Sequence, residues 1–428
     1  MKFNKICVIG LGYIGLPTAS TFATNGINVV GVDVNPHVIS SLQNGQVHIY
    51  EPGLTALVQD SFQSGKLNIN NKLEEADAFI IAVPTPFLDD KRADMRFVIS
   101  AAESILPYLR RGNLVVLEST SPPQTTKNIV APILEKSGLK AGEDFYLAYT
   151  PERVLPGSIM RELVENARVI GGITPESAQV GRDLYSVFVK GQIILTDATT
   201  AEMVKLMENT YRDINIAIAN EFSRLADFFD IDVWEAISIA NLHPRVKILN
   251  PGPGVGGHCI SVDPWFLVEA APELTPLIKT ARQVNDSQPH FLVSLVKRIL
   301  GGQLTGRRIA LLGLSYKADV DDMRESPAIE AAHALKAEGA MLKCYDPFYK
   351  PEMRLQEVNP SNDLAAVVAD AELLLLVVGH ASIKALRPQD VALLTPARQV
   401  LDVVKAWDIP SWQENGFEMH LLGDGRSC

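Results

Sequence analysis

The sequence has 428 residues, of which 47% are hydrophobic and 21% are charged. These proportions are typical of globular chains, and no charge-free apolar run reaches the roughly 18 residues that a membrane-spanning helix needs. A net charge of −11 disfavours general nucleic-acid binding and leaves no polybasic patch for a membrane surface. At roughly 150 residues per domain, the length predicts two or three domains.

The four cysteines, Cys7, Cys259, Cys344 and Cys428, lie far apart and form no CxxC or Cys/His pair with metal-ligand spacing. The pattern therefore favours neither a disulfide framework nor a zinc site, and we expect no metal. The apolar run near the N-terminus leads directly into a glycine motif and has no signal-peptide cleavage site. Both features predict a soluble protein of the reducing cytoplasm.

Short β-rich runs alternate with amphipathic segments through the first part of the chain. Strands are predicted at KICVIG, NVVGVDV, AFIIAVPTP, NLVVLEST and DFYLAYTPERV, and helices over about 16–25, 36–44 and 95–109. Strands that alternate with helices are typical of βαβ units and a parallel sheet. We therefore predict a doubly wound, Rossmann-like domain over residues 1–198.

A different pattern begins near Ala198, where more than thirty residues without Gly or Pro carry apolar side chains at helical spacing. This spacing predicts one long helix, followed by a shorter one near 233–240. After the loop NPGPGVGGHC, helical character returns as far as Leu300, and strands are predicted at RRIALLGLSYK, MLKCYDP, ELLLLVVG and QVLDVV. The fold class predicted is α/β, with two Rossmann-like doubly wound domains (1–198 and 302–428) joined by a central helical domain (199–301).

A glycine motif, Gly10-Leu11-Gly12-Tyr13-Ile14-Gly15, follows the first predicted strand and opens a helix. Such glycines permit a tight turn and let a pyrophosphate approach backbone N–H groups at the helix N-terminus. Asp33 ends the next strand, where a carboxylate accepts from a ribose 2′-OH and repels a 2′-phosphate. The motif therefore predicts NAD as the cofactor, against the alternative of a chance glycine turn.

Two later segments, Val83-Pro84-Thr85-Pro86 and Glu118-Ser119-Thr120, end strands of the same predicted sheet. Ligands of open α/β folds bind at this edge, although rigid turns would give the same pattern. In the last domain, Gly313-Leu314-Ser315-Tyr316-Lys317 follows a strand but lacks a full GxGxxG. We expect a nucleotide diphosphate there and not a second dinucleotide.

The segment Gly254-Val255-Gly256-Gly257-His258-Cys259 presents a thiol in a glycine-rich turn, with Asp263 four residues later. A thiolate is a competent nucleophile, and nearby positive charge and backbone donors favour it. The alternative is that Cys259 is a small buried hydrophobic residue. His258 either transfers protons or only closes a loop hydrogen bond.

The predicted long helix places Lys205, Asn209 and either Arg212 or Asp213 on one face, offset from the apolar face of Met203, Leu206, Met207 and Ile214. Such a stripe is either solvated surface or a catalytic face on which a lysine and an amide stabilise an alkoxide and assist proton transfer. The segment His243-Pro244-Arg245-Val246-Lys247 adds three potential cations that suit a phosphate-bearing substrate, unless it is a solvated basic loop.

These motifs resemble those of the UDP-glucose/UDP-mannuronic acid dehydrogenase family over nearly the whole chain. The matching segments are GLGYIGLP (10–17), EPGL (51–54), AVPTP (82–86), EST (118–120), PERVLPG (151–157), AEMVKLMENTYRD (201–213), NPGPGVGGHCISVDPWF (250–266), SYK (315–317) and DDMRESP (321–327). The segment HPRV beside PGPGVGGHC is most similar to the branch that oxidises UDP-N-acetylhexosamines, above all UDP-N-acetylmannosamine, for surface polysaccharides. Members that oxidise UDP-glucose carry GGSC where this chain has His258, which argues against UDP-glucose as the substrate.

The resemblance implies a four-electron oxidation of C6 with two NAD+, through a thiohemiacetal and a thioester on Cys259. Residues implied in catalysis are Cys259, Lys205 as proton donor and acceptor, Asn209 as oxyanion donor, and Asp263, Glu152 and Thr120, which organise water. Residues implied in NAD binding are Gly10, Gly12, Tyr13, Ile14, Gly15, Asp33, Thr85, Thr120 and Arg324. Residues implied in nucleotide-sugar binding are Arg153, Val154, Lys205, Asn209, Arg212, His243, Arg245, Gly252, Gly254, Tyr316 and Lys317.

The resemblance also implies a homodimer or larger homo-oligomer, because in this family a site can draw residues from a neighbouring subunit through the central helices. Alternative functions are a UDP-N-acetylglucosamine 6-dehydrogenase, a two-electron β-hydroxyacid dehydrogenase that has no need for Cys259, and an NAD-binding protein without catalysis. The position of one acetamido group distinguishes the C2 epimers of the substrate, and no spacing in the sequence reports it.

Overall fold

The computed structural model describes residues 2–88, 90–155, 157–353, 355, 357–358 and 360–425. Cys428 and Pro156, which belongs to the PERVLPG motif, lie outside the described residues. The chain divides into two compact units, Met1–Glu208 with Trp265–Pro272, and Asn209–Pro264 with Glu273–Cys428. The three-domain division made from the sequence stays a prediction.

The first unit contains an eight-stranded sheet in the order β3-β2-β1-β4-β5-β6-β7-β8. Its strands are β1 (Lys5–Ile9), β2 (Asn28–Val32), β3 (Leu67–Asn70), β4 (Ala78–Ile81), β5 (Leu114–Leu117), β6 (Tyr146–Tyr149), β7 (Arg168–Gly172) and β8 (Ile193–Asp197). Neighbouring strands pair in parallel except β6 and β7, which are antiparallel. The first six strands therefore have the order of a dinucleotide-binding sheet, with its switch point between β1 and β4.

Helices cover both faces of this sheet. They are α1 (Gly15–Thr24), α2 (Pro36–Gln43), α3 (Leu54–Gln63), α4 (Arg96–Ile105), α5 (Ala131–Leu134), α6 (Ile159–Glu165) and α7 (Pro175–Tyr185), with a π-helical turn at Thr126–Val130. Along β1, Ile6 and Val8 enter one apolar cluster and Cys7 and Ile9 enter the other. This alternation explains why the strand is a continuous apolar run, since both of its faces are buried.

The long helix predicted from the sequence is α8 (Ala198–Phe229), with 32 residues. It ends where Asp230 adopts a left-handed conformation with φ 54°. Asp232 then caps α9 (Val233–Ala240) by accepting from the N–H groups of Trp234 and Glu235 at 2.7 and 3.3 Å. Three further helices follow the glycine loop: α10 (Asp263–Ala270), α11 (Pro276–Asp286) and α12 (Gln288–Ile299).

The second unit contains a six-stranded, wholly parallel sheet in the order β11-β10-β9-β12-β13-β14. Its strands are β9 (Arg308–Leu312), β10 (Met341–Tyr345), β11 (Pro360–Ser361), β12 (Leu373–Leu376), β13 (Gln399–Asp402) and β14 (Glu418–Leu421). Its helices are α13 (Pro327–Ala337), α14 (Leu364–Val368), α15 (Ala381–Lys384), α16 (Pro388–Leu394) and α17 (Ile409–Glu414). This order repeats that of the first six strands of the other sheet, so the predicted fold class is confirmed.

Within the described residues, no helix is both long and apolar enough to cross a membrane. The predicted strands and long helices are all present, with ends within a few residues of the predicted ones. Strands β7 and β8 extend the first sheet beyond the runs identified in the sequence. Gly171 and Gly172 bring β7 close to its neighbours, because a Cβ at either position would lie within 2.4 Å of a backbone atom.

Candidate active site

The predicted cofactor turn lies between β1 and α1, and its three glycines have different reasons to be glycine. Gly10 has φ +92°, and a Cβ on Gly15 would meet the Gly10 carbonyl oxygen at 1.8 Å. A Cβ on Gly12 would meet no atom within 4 Å. Protein packing therefore requires the outer glycines, whereas the open space at Gly12 suits close approach of a pyrophosphate to the backbone.

Asp33 lies at the end of β2, where the sequence places the ribose-binding carboxylate. Its Oδ2 accepts from the N–H of Leu11 at 2.9 Å, and its Oδ1 accepts from the N–H of Asn35 at 2.8 Å. These bonds fix the carboxylate beside the glycine turn while its side chain stays partly exposed. The turn and the carboxylate together fit an adenosine dinucleotide.

The corresponding turn of the second sheet is built differently, although Asp346 directly follows β10 as Asp33 follows β2. Asp346 Oδ2 accepts from the N–H of Leu314 at 2.7 Å and from the N–H and hydroxyl of Ser315 at 3.0 and 3.2 Å. His380 Nε2 lies 3.1 Å from the same oxygen, and both side chains are fully buried. Protein groups thus occupy Asp346 Oδ2, and the buried His380 distinguishes this carboxylate from the partly exposed Asp33.

The strand-end segments predicted to contact the cofactor lie side by side after β4 and β5. The Ser119 hydroxyl donates to the carbonyl oxygen of Val83 at 2.7 Å, which joins the two segments. Thr85 and Thr120 are both partly exposed at this edge of the sheet. The segments are therefore neighbouring parts of one surface, as the topology of a parallel sheet requires.

Glu152 follows β6 and belongs to a buried charged cluster that also contains Glu118, Arg168 and Tyr185. One guanidinium nitrogen of Arg168 donates to Glu152 Oε2 at 2.7 Å, and another lies 3.4 Å from Glu118 Oε1. The Tyr185 hydroxyl donates to Glu118 Oε1 at 2.6 Å, and the N–H of Arg153 donates to Glu152 Oε1 at 2.7 Å. Glu152 is therefore held by both of its oxygens.

The segment after Glu152 is tied to EPGL and to α8. Glu51 is buried, and its two oxygens accept from the N–H groups of Gly157 and Ile159, each at 2.8 Å. Arg153 donates to Glu208 at 3.0 Å and to the carbonyl oxygen of Ala167 at 2.9 Å. Arg153, a predicted substrate contact, thus has carboxylate and carbonyl partners within the protein.

The polar stripe on α8 is not solvated surface along its whole length. Lys205 is 9% exposed, Asn209 is 8% exposed and Asp213 is fully buried, whereas Arg212 is exposed. Within the part of the chain that the structure describes, the Lys205 side-chain nitrogen forms no hydrogen bond or ion pair. A largely buried lysine without a partner is costly and is therefore a candidate functional group.

Two predictions about α8 are modified. Met207, which the sequence assigns to the apolar face, is 57% exposed, because that face is narrower than the spacing suggests. Asp213 is structural: its Oδ1 accepts from Arg282 at 2.5 Å and from Asn285 at 2.8 Å. Burial is the main reason that the pKa of Asp213 is raised, and Arg282 opposes this rise.

Asn209 and Asp263 are brought together, with the Asn209 amide donating to Asp263 Oδ2 at 2.5 Å in a buried environment. Asp263 is the first residue of α10, and its N–H donates to the Cys259 carbonyl oxygen at 2.8 Å. The Cys259 side chain is exposed. The thiol thus lies in the turn that begins α10, where the helix N-terminus favours negative charge. Because its side chain is exposed, Cys259 is not the small buried hydrophobic residue of the alternative interpretation.

The glycine loop before Cys259 packs against the C-terminal motifs of the same unit. A Cβ on Gly256 would lie 2.3 Å from the carbonyl oxygen of Glu325, and one on Gly257 would lie 2.7 Å from the Tyr316 ring. Gly254 has φ +124°, and its Cβ would meet the carbonyl oxygen of Asn285 at 2.8 Å. These glycines are therefore required by close packing, which brings the SYK and DDMRESP motifs beside the cysteine loop.

His258 is paired with a carboxylate of the DDMRESP motif. Its Nδ1 lies 3.4 Å from Asp322 Oδ2, and Arg324 donates to both oxygens of Asp322 at 2.9 and 2.6 Å. The Asp322 hydrogen bond is the main cause that raises the pKa of His258 to about 9. Burial alone would raise the pKa of Asp322, but hydrogen bonds from His258 and Arg324 hold it well below its ordinary value.

The remaining predicted substrate contacts lie in exposed or loop positions. His243 and Arg245 are exposed, and the N–H of Arg245 lies 3.3 Å from His243 Nδ1. Gly252 is buried and its N–H donates to Asn220 at 2.9 Å, while Lys317 is partly exposed. The HPRV segment is thus a surface loop whose cations are open to solvent.

Sequence reasoning missed three charged residues that support these groups: Arg168, Asp322 and Arg282. Arg168 lies 16 residues after its partner Glu152 and 50 residues after Glu118. No local motif marks such a pairing, because it depends on which strands are neighbours. Asp322 was part of a quoted motif, but its partner His258 comes from a separate loop.

Comparison with known proteins agrees with this arrangement. Residues 4–189 match the NAD binding domain of the UDP-glucose/GDP-mannose dehydrogenase family, residues 199–287 match its central domain, and residues 310–409 match its UDP binding domain. The chain is 46% identical to UDP-N-acetyl-D-mannosamine dehydrogenase from Methanocaldococcus jannaschii over 99% of this chain and 98% of that protein.

Two further proteins extend the comparison. NDP-N-acetyl-D-galactosaminuronic acid dehydrogenase from Ralstonia solanacearum is 51% identical over 78% of this chain and 81% of that protein. The structure of UDP-D-ManNAc dehydrogenase from Pyrococcus horikoshii superposes with a TM-score of 0.92 at 40% identity, covering 98% of this chain and 99% of that one. The predicted family, NAD as cofactor and a nucleotide-sugar substrate are confirmed. The chain belongs to the UDP-glucose/GDP-mannose dehydrogenase family of NAD-dependent enzymes.

Proposed function

We propose that this chain oxidises C6 of a UDP-N-acetylhexosamine to the uronic acid, with UDP-N-acetylmannosamine as the favoured substrate. The observation that carries the proposal is the exposed Cys259 thiol in the turn that begins α10, next to the buried Asn209–Asp263 pair. The relatives named for N-acetylated sugars support this substrate class, as does His258 in place of the serine of UDP-glucose-oxidising members.

Conversion of a primary alcohol to a carboxylate removes four electrons, so two hydrides must leave C6, which bound NAD+ would accept in turn, and water must supply one oxygen. Loss of the first hydride from C6 gives an aldehyde. Addition of the Cys259 sulfur then gives a thiohemiacetal, in which C6 again carries a hydrogen and a hydroxyl. Loss of that hydride gives a thioester, and water breaks the C–S bond to release the acid and the thiol.

Lys205 and Asn209 are proposed to act on the oxygen at C6. Lys205 would take the alcohol proton during the first oxidation, and the Asn209 amide would donate to the developing oxyanion. They are four residues apart on α8, so their side chains project from the same helix face. The low exposure of both, together with the absence of a partner for the Lys205 side-chain nitrogen among the described residues, supports a catalytic face and not a solvated one.

Asp263, Glu152 and Thr120 are proposed to organise the water that hydrolyses the thioester. Asp263 is 2% exposed and Glu152 is 8% exposed, so neither carboxylate is a solvated surface group. Hydrogen bonds fix each of them, to Asn209 and to Arg168 respectively. Fixed carboxylates of this kind can orient a water molecule and accept its proton.

We propose two sets of ligand contacts on the same basis. The nucleotide-sugar contacts are Arg153, Val154, Lys205, Asn209, Arg212, His243, Arg245, Gly252, Gly254, Tyr316 and Lys317. The NAD contacts are Gly10, Gly12, Tyr13, Ile14, Gly15, Asp33, Thr85, Thr120 and Arg324. The exposed HPRV loop and the packing of Tyr316 on Gly257 support the first set, and the open space at Gly12 supports the second.

A homodimer formed through α8 is part of the proposal. Tyr211, Ile218, Phe222 and Leu225 are 62, 43, 39 and 44% exposed and recur at spacings of seven, four and three residues, which places them on one stripe of the helix. An exposed apolar stripe of this length is typical of an interface. Analytical ultracentrifugation should give a dimer or larger species for the wild type and a smaller one for Phe222→Glu.

The N-acetylgalactosamine series is a second candidate substrate, because one relative is named for N-acetyl-galactosaminuronic acid. UDP-N-acetylglucosamine is the third. A cytoplasmic enzyme of this kind would supply an activated uronic acid to a glycosyl transfer reaction in surface-polysaccharide synthesis.

The deciding experiment incubates the enzyme and NAD+ with each of UDP-N-acetylmannosamine, UDP-N-acetylglucosamine, UDP-N-acetylgalactosamine and UDP-glucose. We expect two NADH per sugar consumed, highest turnover with UDP-N-acetylmannosamine, and a product that mass spectrometry identifies as the uronate. One NADH per sugar with accumulating aldehyde would contradict the four-electron reaction. If none of the sugars yields NADH, the chain would be an NAD-binding protein without catalysis.

The role of the thiol is tested by Cys259→Ser, which should abolish net turnover because a serine hydroxyl is a far weaker nucleophile. Cys7→Ala is the matched control: burial raises the pKa of the Cys7 thiol to about 11, and its replacement should leave two NADH per sugar. Full turnover by Cys259→Ser would favour the two-electron reaction instead.

A further inference from the structure

The cluster around Arg168 connects four separate segments of the first unit. Arg168 begins β7, Glu118 follows β5, Glu152 follows β6 and Tyr185 ends α7. Arg168 is 4% exposed, Glu118 is 2% exposed and Tyr185 is fully buried. Charged side chains are seldom buried to this degree unless they are paired, because burial of a charge is costly. A buried cluster of this kind is therefore a candidate for a functional role.

The charges of the cluster do not cancel if every carboxyl group is ionised. One guanidinium faces two carboxylates, which would leave a net negative charge in a largely buried site. Burial is the main cause that raises the pKa of Glu118 to about 7, against the opposing effect of Arg168. Glu118 Oε2 has no hydrogen-bond partner among the described residues, which also favours the neutral acid.

Glu152 is the carboxyl group of the cluster that lies closer to Arg168, at 2.7 Å against 3.4 Å for Glu118. Burial alone would lower the pKa of Arg168, but the two carboxylates raise it, so the guanidinium is permanently charged. Its 2.7 Å bond to Glu152 Oε2 is charge-assisted, and the N–H of Arg153 holds the other oxygen at 2.7 Å. The orientation of the Glu152 carboxylate is therefore set by Arg168 and one backbone donor.

We propose that Arg168 is a positioning residue for thioester hydrolysis, which holds Glu152 in the orientation that activates water, and that Glu118 and Tyr185 tune this pair by holding one proton. In this step a water oxygen forms a bond to C6 of the thioester, and the C6–S bond breaks. One water proton passes to Glu152, and the sulfur leaves as the Cys259 thiolate. This inference rests on the proposed function, because it assigns Glu152 to the hydrolytic step.

Arg168→Lys tests the positioning role, because lysine keeps the charge but has one donor nitrogen in place of the guanidinium fork. We expect a burst of two NADH per active site, followed by turnover slowed about 10- to 100-fold, as when a metal-binding carboxylate loses its hydrogen-bond partner. Intact-mass spectrometry should show a sugar adduct on Cys259 that accumulates during the burst. Glu152→Gln should give the same adduct.

Tyr185→Phe and Glu118→Gln test the proton held by the cluster. Glu118 is faced by Arg168, Glu152 and Tyr185, and its ionisation above neutral pH adds negative charge next to Glu152. Wild-type hydrolysis should therefore show an inflection near pH 7. Glu118→Gln should remove this inflection and retain turnover at about pH 6, where the wild-type side chain is also neutral. Tyr185→Phe should shift the pH at which this inflection occurs.

The outcomes separate the two proposals. If wild-type enzyme forms neither two NADH per sugar nor a Cys259 adduct, the proposed function fails. If it forms both, but Arg168→Lys slows the hydride-transfer burst as much as hydrolysis and accumulates no adduct, Arg168 is only structural. An unchanged pH profile in Glu118→Gln would overturn the role of Glu118. Circular dichroism and NAD titration of each variant establish that it is folded, and Tyr185→Phe tests the cluster if Arg168→Lys is not.

Discussion

The Asn209 side-chain amide donates a hydrogen bond to Asp263 Oδ2 at 2.5 Å, and both residues are buried. An ionised carboxylate can only accept, so the bond fixes which way the amide points. One amide hydrogen is used by Asp263, and the other, which has no acceptor among the described residues, is available to an oxyanion. The orientations of the Asn209 amide and the Asp263 carboxylate, both predicted catalytic groups, therefore depend on each other.

Asn209→Asp should impair the enzyme more than Asn209→Ala, because it puts a second carboxylate next to buried Asp263. We expect kcat to fall about 10²- to 10³-fold in Asn209→Ala, as for loss of one oxyanion donor, and further in Asn209→Asp. Steady-state kinetics and pre-steady-state NADH bursts measure this. Asn128→Ala is the control, since Asn128 is exposed and its side chain, among the described residues, bonds only Gln124, at 2.8 Å. Equal activity of Asn209→Ala and wild type would contradict the role.

Asp33 should determine the preference for NAD over NADP. Asp33→Asn removes the charge that repels a 2′-phosphate and weakens the acceptor for the ribose hydroxyl. We expect KM for NAD+ to rise at least 10-fold, since a hydrogen bond to a charged group contributes about 1.5–3 kcal/mol. The ratio of kcat/KM for NADP+ to that for NAD+ should rise as well.

Asp346→Asn provides the matched control for Asp33. It changes the residue at the same position of the second sheet, where Ser315 and His380 already occupy the carboxylate. This variant should lose stability but keep the wild-type KM for NAD+. A rise in that KM equal to the one in Asp33→Asn would mean that the second turn also binds the dinucleotide.

His258 should be protonated at neutral pH. The Asp322 hydrogen bond is the main cause that raises its pKa to about 9, and Cys259 contributes in the same direction while Arg324 opposes it. A raised histidine pKa contributes stability that is fully present below the ordinary value of about 6.5 and is lost as the pH rises through 9. Because the imidazole is 39% exposed, solvent screening keeps this contribution small.

NMR titration of the histidine ring protons tests this directly, with the His258 signal assigned from its loss in His258→Gln. Its midpoint should lie near 9 in the wild type and move towards 6.5 in Asp322→Asn. His37, an exposed histidine in α2, gives an internal reference signal. A His258 midpoint that does not respond to Asp322→Asn would show that the pair does not form.

The motifs that could be interpreted from the sequence were those whose chemistry is local. The glycines around Gly12 and the run before Cys259 specify backbone geometry within a few residues, and both lie where predicted. The apolar runs specify β1 and β9 because each is buried on both faces. Local sequence was therefore sufficient for the elements that carry the candidate site residues, whose roles stay predictions.

Burial and long-range pairing could not be predicted in this way. The spacing of Lys205, Asn209 and Asp213 is the same for a solvated stripe and a buried one, and only packing distinguishes them. Arg168 contacts Glu118 because β5, β6 and β7 are neighbouring strands. Strands β6 and β7 are antiparallel, and no turn motif in the sequence predicts this pairing. The charged groups that support the candidate site were therefore found only in the structure.

The buried Asp213–Arg282 pair should contribute strongly to stability. Arg282 is 1% exposed, and removing it leaves an uncompensated buried carboxylate, so Arg282→Met should lower the free energy of unfolding by about 3–5 kcal/mol. Urea unfolding measures this loss. The Arg387 side chain is 74% exposed and forms an ion pair with Asp390. Arg387→Ala removes this pair and should lower the free energy of unfolding by less than about 0.5 kcal/mol.

The loss in Arg282→Met should also depend on pH. Burial already raises the pKa of Asp213, and without Arg282 the folded-state pKa rises further. A carboxyl group with a raised pKa destabilises the fold as the pH rises through that value, because its ionised form is disfavoured inside. The deficit relative to wild type should therefore be larger at about pH 8 than at about pH 5, and adding Asp213→Leu should remove this pH dependence. A deficit that is independent of pH would indicate lost packing alone.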